Sequence, residues 1–129
     1  ETAAQYTSAC PLDYFLYHNQ DPSAVNCSKH VDRGLLIAVC LTDVPGLELL
    51  VSPEKQWVTP EVWIHNAHLY QETESACSSG WICILAGGQL SQRMNIDPCV
   101  HRVRQQLKRA RLSISYELRV LNLSSNQGI

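Results

Sequence analysis

The sequence predicts an α+β domain, and three observations carry that expectation. Residues 98–111 place Cys99, Val100, Val103, Leu107 and Ala110 on one side of a 3.6-residue period. From Leu112 the period falls to two, with Leu112, Ile114, Tyr116, Leu118 and Val120 alternating against Ser113, Ser115, Glu117 and Arg119. Upstream, short apolar runs bounded by Gly, Pro, Asn and Asp have the length of strands. Mainly antiparallel strands, one C-terminal amphipathic helix and a final strand follow from these patterns. An all-β sandwich carrying a single helix is the alternative.

Each element has its own signals. Residues 1–9 lack any period and read as an arm, as do residues 124–129, so that residues 1–129 form one domain with two flexible ends. Tyr14–Tyr17 is a brief aromatic run, followed by the loop-forming HNQDPSAVN. Leu35–Leu41 is a continuous aliphatic run that stops at Asp43-Val44-Pro45-Gly46, as a central strand ending in a turn does. Leu47, Leu49 and Val51 alternate, so this run is expected to return antiparallel beside the first. Ser52-Pro53-Glu54 and Thr59-Pro60-Glu61 resemble helix starts, although the mixed pattern of residues 59–70 leans towards a strand. Trp81–Leu85, between Gly80 and Gly87-Gly88, reads as a buried strand. Asp97 and Pro98 then suit the cap and first position of the C-terminal helix.

The chain of 129 residues is 45% hydrophobic, enough for one core, and its longest apolar run is too short to span a bilayer. Cys10, Cys27, Cys40, Cys77, Cys83 and Cys99 contain no Cys-x-x-Cys pair. Their even number points to three disulfides in an oxidising compartment, with the pairing open. Asn26 and Asn122 open two glycosylation sequons, Asn122 being the better acceptor because Cys27 lies inside the first. A secreted or cell-surface location follows from that pair of readings.

Net charge is −2, but acids and bases are segregated. Ten acids face three bases in residues 1–92, a balance of −7, whereas seven bases face two acids in residues 93–129, a balance of +5. On a helix, Arg104, Lys108 and Arg111 form a basic stripe at i, i+4 and i+7, suited to a heparin-like polyanion or to the chain's own acids. The acidic balance of the whole argues against nucleic acid. Trp57, Trp63 and Tyr70 are side-chain types that anchor protein interfaces.

Five histidines, His18, His30, His65, His68 and His101, are available for acid–base work, and His65 with His68 has a spacing that zinc accepts. No HExxH, nucleophile elbow or phosphate loop accompanies them. The resulting expectation is a non-enzymatic extracellular recognition module with no catalytic residue, metal or cofactor. It binds another extracellular protein through Trp57, Trp63, Tyr70, Arg104, Lys108 and Arg111. A small secreted His-dependent hydrolase or nuclease is the rival.

Overall fold

The structure is a computed structural model that describes residues 10–18, 21, 25–66, 80–104 and 109–120, with the side chains of residues 65 and 66 outside the description. Eight strands and two short helices follow one another: β1 (Leu12–Tyr17), β2 (Val25–His30), β3 (Leu36–Cys40), β4 (Leu47–Val51), β5 (Gln56–Val58), α1 (Pro60–Asn66), β6 (Ile82–Ala86), α2 (Gly88–Met94), β7 (His101–Arg104) and β8 (Arg111–Leu118). The strands form two four-stranded sheets of order β1-β8-β3-β6 and β2-β7-β4-β5, and every pairing is antiparallel. Ile37 and Val39 of the first sheet and Leu47 of the second meet in one core with Leu41, Ile64 and Leu85.

This architecture overturns the α+β expectation at its strongest point. Residues 101–104 are a strand between β2 and β4, not the middle of a helix. His101 and Val103 point inward while Arg102 and Arg104 reach Glu48, so the segment obeys a period of two once its neighbours are in place. Tertiary pairing outweighs the Asp97-Pro98 start signal, and an extended lead-in accepts Pro98 equally well. The expected β3–β4 hairpin does not form either, since β3 pairs with β6 and β8 and β4 crosses to the other sheet. Thr59-Pro60-Glu61 does start a helix, α1, against the lean towards a strand. Ser52–Lys55 is a turn, and β6 leaves Ile82 and Ile84 exposed rather than buried.

β8 is a strand, but the apolar set of its alternation does not face the core. Arg111, Ser113 and Glu117 are buried, whereas Leu112, Tyr116 and Leu118 are exposed. Alternation separates the two faces of a strand without saying which one meets the core. Here the polar face turns inward. No disulfide joins the described cysteines: Cys10, Cys27, Cys40, Cys83 and Cys99 are free thiols, and Cys77 lies outside the described residues. Cys83 and Cys99 pack against the aliphatic core as small apolar groups. The disulfide-bonded reading is corrected accordingly, and the extracellular reading loses the basis it had there.

Candidate metal centre

The polar inner face of β8 looks into a cavity of about 130 Å³ between the two sheets, lined by Phe15 and Tyr17 of β1, Ser113 and Ser115 of β8, and His30, Asp32 and His101. Three features of the chain bring the last three together. His30 and Asp32 are two residues apart on nearly extended backbone, a spacing that turns both side chains to one side. The β2–β7 register sets His101 directly opposite His30, with their ring centroids 4.3 Å apart. The backbone after Asp32 is anchored as well, because Glu117 accepts from the Gly34 N–H, and a Cβ at Gly34 would lie 2.6 Å from the Leu118 carbonyl oxygen. Only glycine fits there.

One donor atom from each of His30, Asp32 and His101 lies within 4.8 Å of the other two. His30 Nε2 is 3.4 Å from Asp32 Oδ1, and His101 Nε2 is 3.3 Å from Asp32 Oδ2. The remaining ring nitrogens are engaged by backbone: His30 Nδ1 donates to the Ser28 carbonyl at 2.7 Å and His101 Nδ1 to the Cys99 carbonyl at 3.1 Å. With Nδ1 of each ring turned to a backbone carbonyl, both imidazoles present Nε2 to the Asp32 carboxylate. A proton or a cation must sit among them. The hydrogen bond from His101 holds the Asp32 carboxyl below its usual range against the effect of burial. Burial opposes protonation of His101, but its bonds to Asp32 and the Cys99 carbonyl outweigh that and raise its pKa. An octahedral ion with ligands at about 2.1 Å keeps neighbouring ligand atoms roughly 3 Å apart, close to the two nitrogen–oxygen spacings to Asp32. Two imidazoles and one carboxylate leave the other positions of such an ion open, the donor set of non-haem Fe(II) oxygenases.

A second polar feature lies at the far end of the same β8 face. The Arg111 side chain is wholly buried, its Nε donating to the Val44 carbonyl at 3.1 Å and its Nη2 to Glu61 Oε1 at 3.3 Å. Nη1 of Arg111 and Oε2 of Glu61 have no partner.

No protein-family model and no curated protein matches the sequence, but solved structures match the fold. A putative oxygenase from Shewanella oneidensis superposes with a TM-score of 0.61 at 17% identity, covering 86% of this chain and 39% of that one. The dioxygenase for auxin oxidation 1 of Arabidopsis thaliana, in a binary complex with 2-oxoglutarate, gives 0.60 at 15% identity, covering 87% and 38%. JOX2, in complex with 2OG, Fe and JA, gives 0.57 at 17%, covering 87% and 29%. The fold is the jelly-roll sandwich of these dioxygenases. The chain spans between a quarter and two-fifths of the length of such neighbours.

The residues singled out from sequence fall elsewhere. Trp57 is half-buried on β5 under the Arg102 guanidinium, 4.0 Å from the ring centroid, and Trp63 is exposed on α1. Arg104 pairs with Glu48 at the end of β7 and Arg111 is buried, so no basic stripe forms from them. Asn26 sits half-buried within β2, its amide donating to the Arg104 carbonyl at 3.4 Å. Tyr70, Lys108, Asn122 and His68 lie outside the described residues. The fold shared with oxygenases overturns the reading of a non-enzymatic recognition module, and His30, Asp32 and His101 form a cluster that could hold a metal ion. The missed signal was present: His30-x-Asp32 before a glycine, with a distant third ligand in His101, is shorter than the helical HExxH pattern but equally physical.

Proposed function

We propose that this chain carries the metal-binding sandwich of a 2-oxoglutarate-dependent non-haem iron oxygenase. The observation that carries the reading is the convergence of His30, Asp32 and His101 inside the inter-sheet cavity, each imidazole locked by a backbone carbonyl in the tautomer that ligates through Nε2. The solved neighbours described as complexes with 2-oxoglutarate and iron support it. Bound iron would supply the activation of dioxygen coupled to oxidative decarboxylation of the 2-oxo acid. The chain's own residues hold and orient. Asp32, its carboxyl held down by the hydrogen bond from His101, would contribute the negative charge, and the two imidazoles would supply the other protein ligands through Nε2. Ser113 lines the cavity, and Arg111, buried two residues before it on the same strand face with Nη1 unpartnered, is the cation that would take the distal carboxylate of the 2-oxo acid. Phe15 and Tyr17, stacked at 5.9 Å, form an apolar wall that limits water in the cavity.

Anaerobic calorimetric titration of the apoprotein with Fe(II), and with Mn(II) as a redox-silent substitute, is expected to show saturable binding. Asp32→Asn or His101→Ala should weaken it by at least about tenfold, the scale on which even groups behind the ligands matter. Turnover of 2-oxoglutarate to succinate should vanish in both variants. Unchanged metal affinity in Asp32→Asn would remove the reading.

A further inference from the structure

The pair formed by Glu61 and Arg111 places a carboxylate of the chain on the buried cation that the incoming 2-oxo acid would need. We propose that Glu61 is a specificity-determining residue, which competes with the distal carboxylate for Arg111 and so sets how strongly the site prefers a dicarboxylic 2-oxo acid over a monocarboxylic one. The proposal rests on the 2-oxo acid reading above.

The geometry of the pair is that of a partial contact. A guanidinium and a carboxylate can join through two parallel bonds, yet here only Nη2 and Oε1 meet, at 3.3 Å, leaving Nη1 and Oε2 bare in a buried setting. Arg111 cannot swing away to improve the match. Its Nε is tied to the Val44 carbonyl, and Gly46 lies so close beneath it that a Cβ there would stand 2.7 Å from Arg111 Cδ. Glu61 is fixed at its other end by α1. Nη1 is buried and does not itself line the cavity, so a carboxylate that reaches it from the Ser113 side gains one donor and meets the charge of Glu61 beside it. A ligand that ends in a methyl group meets no such opposition. Neutralising Glu61, by amide or by proton, removes the repulsion and leaves the guanidinium charge to the ligand.

The groups around Glu61 allow proton control of the same choice. Burial pushes its carboxyl up, while its own backbone N–H, Arg111 from β8 and the Leu47 N–H from β4 pull it down, and the raised direction prevails. From β6 the thiol of Cys83 faces it, itself displaced upward, and Tyr17 of β1 faces Arg111. None of the three metal-site residues is among the groups that shift Glu61.

The test measures dissociation constants on the Mn(II)-loaded full chain for 2-oxoglutarate and for 2-oxobutyrate, which shares the 2-oxo acid head and lacks the distal carboxylate. Glu61→Gln should tighten 2-oxoglutarate by about tenfold or more, the scale of a relieved like-charge contact, and leave 2-oxobutyrate unchanged. In the wild-type chain, lowering the pH should shift the ratio of the two constants towards 2-oxoglutarate as Glu61 takes up a proton, which its burial favours. Titration of the metal ligands affects both 2-oxo acids and cancels in that ratio, which also decides the matter if the Gln variant does not fold. A weaker 2-oxoglutarate complex in Glu61→Gln would make Glu61 a mere support for Arg111 and overturn the proposal. So would a ratio that stays constant with both substitution and pH. If Mn(II) binds but neither 2-oxo acid does, the 2-oxo acid reading itself falls and takes this one with it.

Discussion

At the scale of single residues, the site turns on which side chains are kept neutral and which are kept charged. Cys83 illustrates the first. Burial, followed by the neighbouring Cys99 and Glu61, pushes its thiol up to about 11, so it stays protonated and unreactive where an exposed cysteine would begin to ionise. Alkylation by iodoacetamide at about pH 8 is expected to be slow at Cys83 in the native chain and fast after denaturation. Mass mapping checks this, and rapid native labelling of Cys83 would contradict its placement against the core. Reduction should leave the fold unchanged, because the described cysteines are already thiols. The even cysteine count misled because it reports possibility and not distance. A Cys that packs as a small hydrophobe looks the same in sequence as one half of a disulfide. His30-x-Asp32 was equally visible, but its meaning depends on a third side chain, His101, brought by pairing across 70 intervening positions, and only the β2–β7 register supplies that.

Elements show where pattern reading succeeds and where it stops. The aliphatic run around β3 was legible because a strand buried on its inner face between two neighbours leaves little doubt about its period. β8 was legible as a strand but not in its facing. Ser113, Ser115 and Glu117 line the inter-sheet cavity, so the usual rule of apolar inside and polar outside is inverted along that strand. Substitutions distinguish the two facings. Leu118→Ala, on the exposed side, should cost well under about 1 kcal/mol, whereas Ile37→Ala, fully within the core, should cost roughly 2–5 kcal/mol. Denaturant melts of both variants measure the difference. Comparable losses at the two positions would mean that the sheet is turned the other way, and would displace Ser113 and Arg111 from the cavity side.

For the whole molecule, the consequence of that inversion is an apolar outer surface on the β1-β8-β3-β6 sheet. The register lines up Leu12, Tyr14 and Leu16 of β1 with Leu112 and Tyr116 of β8, and Ile82 and Ile84 of β6 continue the face beyond β3. Leu16 is 70% exposed and Ile84 58% exposed, and both belong to one continuous sheet. Soluble monomers seldom show an apolar patch above a few hundred Å², because such a surface gains free energy by meeting another one. The 129-residue chain by itself is therefore expected to self-associate as its concentration rises. Replacing Leu16 and Ile84 by Lys should suppress this, since charge on an exposed sheet opposes face and edge contacts alike. These side chains point away from the cavity, so affinity for Mn(II) should be retained in the double variant. Sedimentation velocity reads the first expectation and calorimetry the second. A monodisperse wild-type chain at high concentration would show that this face is covered, and loss of metal binding on substituting it would show that the two sides of the sheet are not independent. The polar inner side serves the metal site and the apolar outer side serves packing, a division of labour set by one residue of register in β8.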